Sequence, residues 1–171
     1  MSSWGYSLRR GRWQRKGKLN MSALVGILSG SASDKAVVDK ITSVLDELGI
    51  AWEYSVLSAH RTPNKVARYS KEAEGKGLKV LIGVAGLSAA LPGCLAAHTT
   101  LPVIGVPCDG GALGGADALY SVAQMPPGIP VAAVGIGNGK NAAYLAASIL
   151  SISNQGIKEK LQTYRKSLGD E

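Results

Sequence analysis

Ala23-Leu24-Val25-Gly26-Ile27-Leu28-Ser29-Gly30-Ser31-Ala32-Ser33-Asp34 is the stretch on which the fold turns. Its first half is an unbroken apolar run, as expected of a strand buried on both faces of a parallel sheet. Its second half is small and polar, and Ser33 or Asp34 can cap a following helix. Beyond it Val37, Val38, Ile41, Val44, Leu45 and Leu48 recur at helical spacing. Gly49 then supplies the residue that most readily closes a helix C-terminus. One strand, one polar loop and one amphipathic helix are thus legible in sequence.

The same alternation repeats outward. Strands are predicted over residues 52–57, 78–84, 102–106 and 130–136. Helices are predicted over 63–75, a short Ala-rich stretch ending at Thr99, 117–124 and 141–151, with a polar amphipathic helix over 157–167. Strands alternating with helices predict an α/β fold, here a three-layer, flavodoxin-like, doubly wound parallel five-stranded sheet. Such sheets bind ligands beyond the carboxyl ends of their strands. The loops 31–34, 60–61 and 83–90 all lie there, so they are expected to converge on one pocket.

The 171 residues suit one globular domain with a substantial core, and no apolar run reaches the length of a membrane helix. The formal charge of +7 is concentrated at one end. Six of the 19 basic residues and none of the 12 acidic ones lie in residues 1–20, leaving 13 basic against 12 acidic in the rest. The body is therefore near neutral, and no specific nucleic-acid partner is expected. Residues 1–20 are expected as a disordered basic extension, with 21–171 as a single catalytic domain. Cys94 and Cys108 show no zinc spacing, so no metal is expected and a cytoplasmic location fits.

Chemistry is concentrated in Ser58-Ala59-His60-Arg61-Thr62-Pro63. Thr62 suits an N-cap and Pro63 the first helical turn, which places His60 and Arg61 at a helix N-terminus. Free N–H groups and the helix dipole favour an anion there. Histidine ordinarily titrates near neutrality, so a proton carrier stands beside an always-charged cation. The pair points to acid–base chemistry on a phosphorylated substrate; the plain alternative is a solvated surface loop. Ser31, Ser33 and Asp34 suit phosphate and sugar hydroxyls, or simply cap a helix. Residues 83–93 are nearly free of large side chains, which lets a flat ligand or another subunit approach the backbone. Residues 135–141 lack the spacing of a P-loop. His98 reads as structural or as an interface residue.

Taken together, these segments resemble the N5-carboxyaminoimidazole ribonucleotide mutase family of purine biosynthesis. Residues 30–34, 58–63, 85–93, 102–107, 117–121, 124–130 and 141–143 carry the resemblance, in family order over 23–151. It implies a flavodoxin-like fold, a homo-octamer with sites near subunit contacts, a phosphoribosyl aminoimidazole substrate and no metal or organic cofactor. It also implies that His60 is the general acid/base and that Arg61 binds phosphate. Ser31, Ser33, Asp34, Ser58, Gly86 and Leu91 would hold substrate. The resemblance departs at Ala90, where the mutase loop usually carries a second histidine. Direct carboxylation by carbon dioxide therefore remains an alternative to carboxylate migration. A non-catalytic nucleotide- or flavin-binding relative is a third reading.

Overall fold

The computed structural model describes residues 22–169 in full and, before them, the backbone of two short strands. Those strands are β1 (Gly5–Arg9) and β2 (Arg12–Lys16). They are followed by β3 (Val25–Ser29), α1 (Lys35–Glu47), β4 (Trp52–Val56), α2 (Pro63–Ala73), β5 (Val80–Ala85), α3 (Leu91–Ala96) and β6 (Val103–Pro107). The chain continues through α4 (Ala116–Ala123), β7 (Ala132–Ala133), α5 (Gly139–Ser151) and α6 (Gln155–Ser167).

Strands β4-β3-β5-β6-β7 form the expected five-stranded parallel sheet. The order reverses between β3 and β5, which makes that point the topological switch of a flavodoxin-like fold. The sheet continues beyond β4 as an antiparallel hairpin, in which β2 pairs with β1 and sets Trp13 and Gln14 opposite Tyr54 and Glu53. Of the extension expected to be disordered, residues 5–9 and 12–16 are therefore described as paired backbone; the rest lies outside the described residues.

Side chains divide between two cores as strand periodicity requires. Val25, Ile27, Val80, Ile82, Ile104 and Val106 face α1 and α5. Leu28, Leu81 and Val103 face the layer of α2, α3 and α4. The second face is notched by glycine. A Cβ on Gly83 would lie 3.1 Å from Pro92 Cα, and one on Gly105 would lie 3.1 Å from Pro92 Cβ while colliding with Val122. Gly83 and Gly105 are direct neighbours across the β5–β6 ladder. Pro92 therefore seats α3 in a notch that any side chain would fill. The seating fixes where α3 begins, and with it the loop from Gly86 to Ala90.

Two local readings change. Residues 130–136 were expected as a full strand, yet only Ala132 and Ala133 pair with β6. Pro130 precedes them without an N–H to donate, and both alanines are exposed on a sheet edge. Asp34 does stand at the N-cap of α1, as expected, but its side chain makes no cap bond there. Ser31 caps a single 3-10 turn, Ala32–Asp34, and Asp34 answers from the far end of the same capping box.

Candidate active site

Beyond the carboxyl ends of β3, β4, β5 and β6 lies a cleft of ≈ 450 Å³. The three loops expected to converge do line it, contributing among others Ser31, Asp34, His60, Arg61 and Gly86. Ser33, Ser58 and Leu91 lie in the same wall. Cys108, Asp109 and Gly110, after β6, form a fourth wall that the sequence reading did not place there. Their signal was present, since they open the glycine-rich loop after the fourth parallel strand and hence at the same end of the sheet.

The first loop is locked by its capping box. The Ser31 N–H donates to Asp34 Oδ2 at 3.1 Å, and Ser31 Oγ accepts from the Ser33 N–H at 3.2 Å and from the Ser33 hydroxyl at 2.9 Å. Both acceptor sites of Ser31 Oγ are thereby used, and its own hydrogen remains for a ligand. Burial raises the Asp34 carboxyl above the ordinary carboxylate range, partly offset by the Ser31 N–H and the nearby Ser33 side chain. The sign of the consequence follows. A raised folded-state pKa contributes stability that is complete in acid and lost as pH rises through that pKa. Asp34→Asn, which does not titrate, is therefore expected to gain stability relative to the parent between about pH 4 and about pH 7. Urea midpoints at the two values measure it; a variant that loses stability relative to the parent from about pH 4 to about pH 7 contradicts it.

The second loop is braced by residues that the sequence assigned to other tasks. Thr62 is the N-cap residue of α2 with Pro63 in the first turn, as expected, but its side chain makes no cap bond. Its hydroxyl instead accepts from the Ser58 N–H at 3.1 Å and donates to the Ser58 carbonyl at 3.0 Å. Ser58 Oγ in turn accepts from the Arg61 N–H at 3.2 Å. This closed turn presents His60 and Arg61 to solvent. Arg61 Nη2 donates to the Gly30 carbonyl at 2.9 Å, tying the second loop to the first. That bond uses one of five guanidinium N–H groups and leaves a fork for an anion. Among the described residues, the His60 and Asp109 side chains have no intramolecular hydrogen-bond partner.

The third and fourth walls are made of mostly small residues and lie close together, with Ser88 and Asp109 as their polar members. Ser88, with φ +49°, is the one non-glycine in the left-handed region among the described residues. It turns the loop so that its carbonyl accepts from the Ala90 N–H. Left-handed backbone away from glycine is uncommon and gathers at functional sites. The Cys108 N–H donates to the Ala85 carbonyl at 2.9 Å, so the two walls are one unit. Burial, reinforced by Asp34 and Asp109, pushes the Cys108 thiol up to about 12. It is therefore a neutral wall and not a thiolate nucleophile.

Other residues lie elsewhere. His98 donates from Nδ1 to the Cys94 carbonyl at 2.9 Å and lines a separate groove of ≈ 880 Å³ at the amino ends of the strands. Among the described residues, no three His, Cys, Asp or Glu side chains gather as a metal site requires, and no helix is long and apolar enough to cross a membrane.

A switch-point cleft with an arginine fork, serine hydroxyls and an imidazole marks a flavodoxin-like α/β protein, with side chains whose chemistry suits an anionic ligand beside a proton carrier. The AIR carboxylase family model matches residues 24–171, and the chain belongs to that family. It is 51% identical over 145 residues to an N5-carboxyaminoimidazole ribonucleotide mutase of Pyrococcus horikoshii, covering 85% of this chain and 82% of the relative. It is 47% identical over 149 residues to the protein of the same name from Bacillus subtilis, covering 86% and 92%. The crystal structure of Treponema denticola PurE superposes with a TM-score of 0.76 at 37% identity, covering 85% of this chain and 90% of that one.

Proposed function

We propose that this chain converts N5-carboxyaminoimidazole ribonucleotide to 4-carboxy-5-aminoimidazole ribonucleotide, a step of purine biosynthesis. Its supports are family membership, relatives of that name at about half identity over most of the chain, and one observation of geometry. His60 and Arg61 stand side by side at the mouth of a cleft whose opposite walls are mostly small residues, with Asp109 at their edge.

The residues divide the work by chemistry. Arg61 takes the substrate phosphate with its fork, Ser31 and Ser58 add hydroxyls around it, and Ser33 stands nearby with its own hydroxyl bound to Ser31. Asp34 accepts from ribose hydroxyls. Gly86 and Leu91 border the imidazole ring and the carbon dioxide released beside it. As imidazolium, His60 gives a proton to the exocyclic nitrogen while the N–carboxylate bond breaks and carbon dioxide leaves. The ring carbon then bonds to carbon dioxide held in the cleft. Neutral His60 takes the proton from that carbon, which restores the aromatic ring and the imidazolium. Proton and carboxyl balance over the cycle, and the small residues from Gly86 to Ala90 keep carbon dioxide close enough to be recaptured.

Ala90 favours one second reading, direct carboxylation of aminoimidazole ribonucleotide by carbon dioxide. It lines the cleft at the position where the mutase loop resembled in sequence carries a histidine. The two readings differ in carboxyl donor and share a product. Location in the cytoplasm and assembly into a homo-octamer complete the proposal, since the resemblance places the sites of this family near subunit contacts.

Initial rates in two parallel reactions test it. One supplies N5-carboxyaminoimidazole ribonucleotide without bicarbonate; the other supplies aminoimidazole ribonucleotide with excess bicarbonate. The expected result is a higher rate of ring-carboxylated product in the first at low substrate. A higher rate in the second establishes the carboxylase reading instead. No product in either reaction contradicts both.

A further inference from the structure

The Ser31 loop is held from beneath by two buried hydroxyls that take no part in the chemistry above. Ser29, at the end of β3 and fully buried, donates Oγ–H to the Ser31 carbonyl at 2.8 Å. The same Oγ lies 2.7 Å from the Tyr54 hydroxyl on β4, and Tyr54 is 7% exposed. A serine hydroxyl has one hydrogen and a carbonyl can only accept. The Ser29 hydrogen is therefore committed to Ser31, and Tyr54 must be the donor to Ser29. The relay runs one way, from the Tyr54 O–H to Ser29 Oγ and on to the Ser31 carbonyl.

Its far end is the residue that organises the first wall of the cleft. The Ser31 peptide oxygen also accepts from the Asp34 N–H, but at 3.4 Å, so the Ser29 bond is the shorter restraint on it. With its carbonyl fixed from below and its N–H bound to Asp34 Oδ2, Ser31 has both main-chain polar groups tied. What remains adjustable is the hydroxyl hydrogen that faces the ligand. Burial also holds the Tyr54 phenol above its ordinary value, which keeps it a donor through the neutral range. Hydrogen bonds in such dry surroundings are strong and directional, and linked bonds reinforce one another.

We propose that Tyr54 and Ser29 are positioning residues for substrate binding, a hydroxyl relay that sets the Ser31 carbonyl and through it the Ser31 hydroxyl and Asp34 carboxylate. The proposal rests on the reading of the cleft given under Proposed function. The relay touches no reacting atom, so its removal weakens ground-state and transition-state binding alike and spares the proton steps.

Tyr54→Phe and Ser29→Ala each remove one oxygen and leave the carbon framework in place. Each is expected to raise KM for the ribonucleotide about 2- to 12-fold, the range of one ordinary hydrogen bond, with kcat held within about two-fold. Because Tyr54 acts through Ser29, Tyr54→Phe is expected to add nothing to KM in the Ser29→Ala background. An unchanged KM with a lowered urea midpoint overturns the proposal, since the hydroxyls then serve only the core. Additive effects on KM overturn it too. Ser31→Ala separates the two levels: if it raises KM while Tyr54→Phe does not, the relay fails and the cleft reading stands. If Ser31→Ala leaves KM unchanged, the cleft reading fails and the relay with it.

Discussion

Replacing His60 with asparagine is expected to lower kcat by about 100- to 10,000-fold, the range that positioned acid–base groups supply. The side chain is exposed at the cleft mouth and bonds to no other described residue, so its loss removes no restraint on the fold. Asparagine keeps a polar group of similar reach but neither gives nor takes a proton near neutrality. Product formation should collapse while the urea midpoint and the affinity for the ring-carboxylated nucleotide stay close to the parent values. Both proton steps pass through the one imidazole in this scheme. A variant that retains parental turnover removes His60 from the mechanism and leaves the cleft as a binding site only.

Arg61→Ala is expected to act on affinity instead. Hydrogen bonds to charged groups contribute about 1.5–3 kcal/mol each, which corresponds to a KM raised about 10- to 100-fold or more. Part of that loss is indirect, because Arg61 Nη2 also ties the second loop to the Gly30 carbonyl of the first. Arg61→Lys separates the two contributions. Lysine restores the charge but not the planar fork, so it should recover only part of the affinity. Steady-state KM and kcat for parent and both variants give the answer. An Arg61→Ala variant with parental KM and altered kcat would move Arg61 from phosphate binding into the chemical step.

Much of this site was legible because a parallel sheet couples sequence order to position. Each strand ends in a loop on the same edge, so Ser31, His60 and Gly86 could be assigned to one pocket while far apart in the chain. The wall at Cys108–Gly110 follows from the same rule. It went unassigned because a glycine-rich loop carries few side chains that announce chemistry. Thr62 was legible in position but not in the use of its hydroxyl. A threonine before Pro63 reads as an N-cap, but its hydroxyl reaches Ser58, a choice settled by the turn geometry of the whole loop. Ala132 and Ala133 show how little pairing an edge requires where Pro130 interrupts the donor row.

The Tyr54–Ser29 relay was hidden for a further reason. Tyr54 and Ser29 sit on adjacent strands 25 residues apart in sequence, and each reads alone as an ordinary strand residue. Only the β3–β4 register, which pairs Ser29 with Val56 and Ile27 with Tyr54, places the phenol diagonally against the serine. Chemistry that lives in cross-strand geometry leaves no local trace. The left-handed Ser88 is similar, since its conformation is imposed by the turn that joins β5 to α3.

A crystal structure of the protein with the ring-carboxylated nucleotide bound tests the central claim most directly. The expected result places the phosphate within hydrogen-bond distance of the Arg61 guanidinium and the Ser31 hydroxyl, with the carboxylated ring carbon beside His60. A nucleotide seated instead in the groove around His98 at the opposite end of the sheet, or one whose ring lies out of reach of His60, would contradict it.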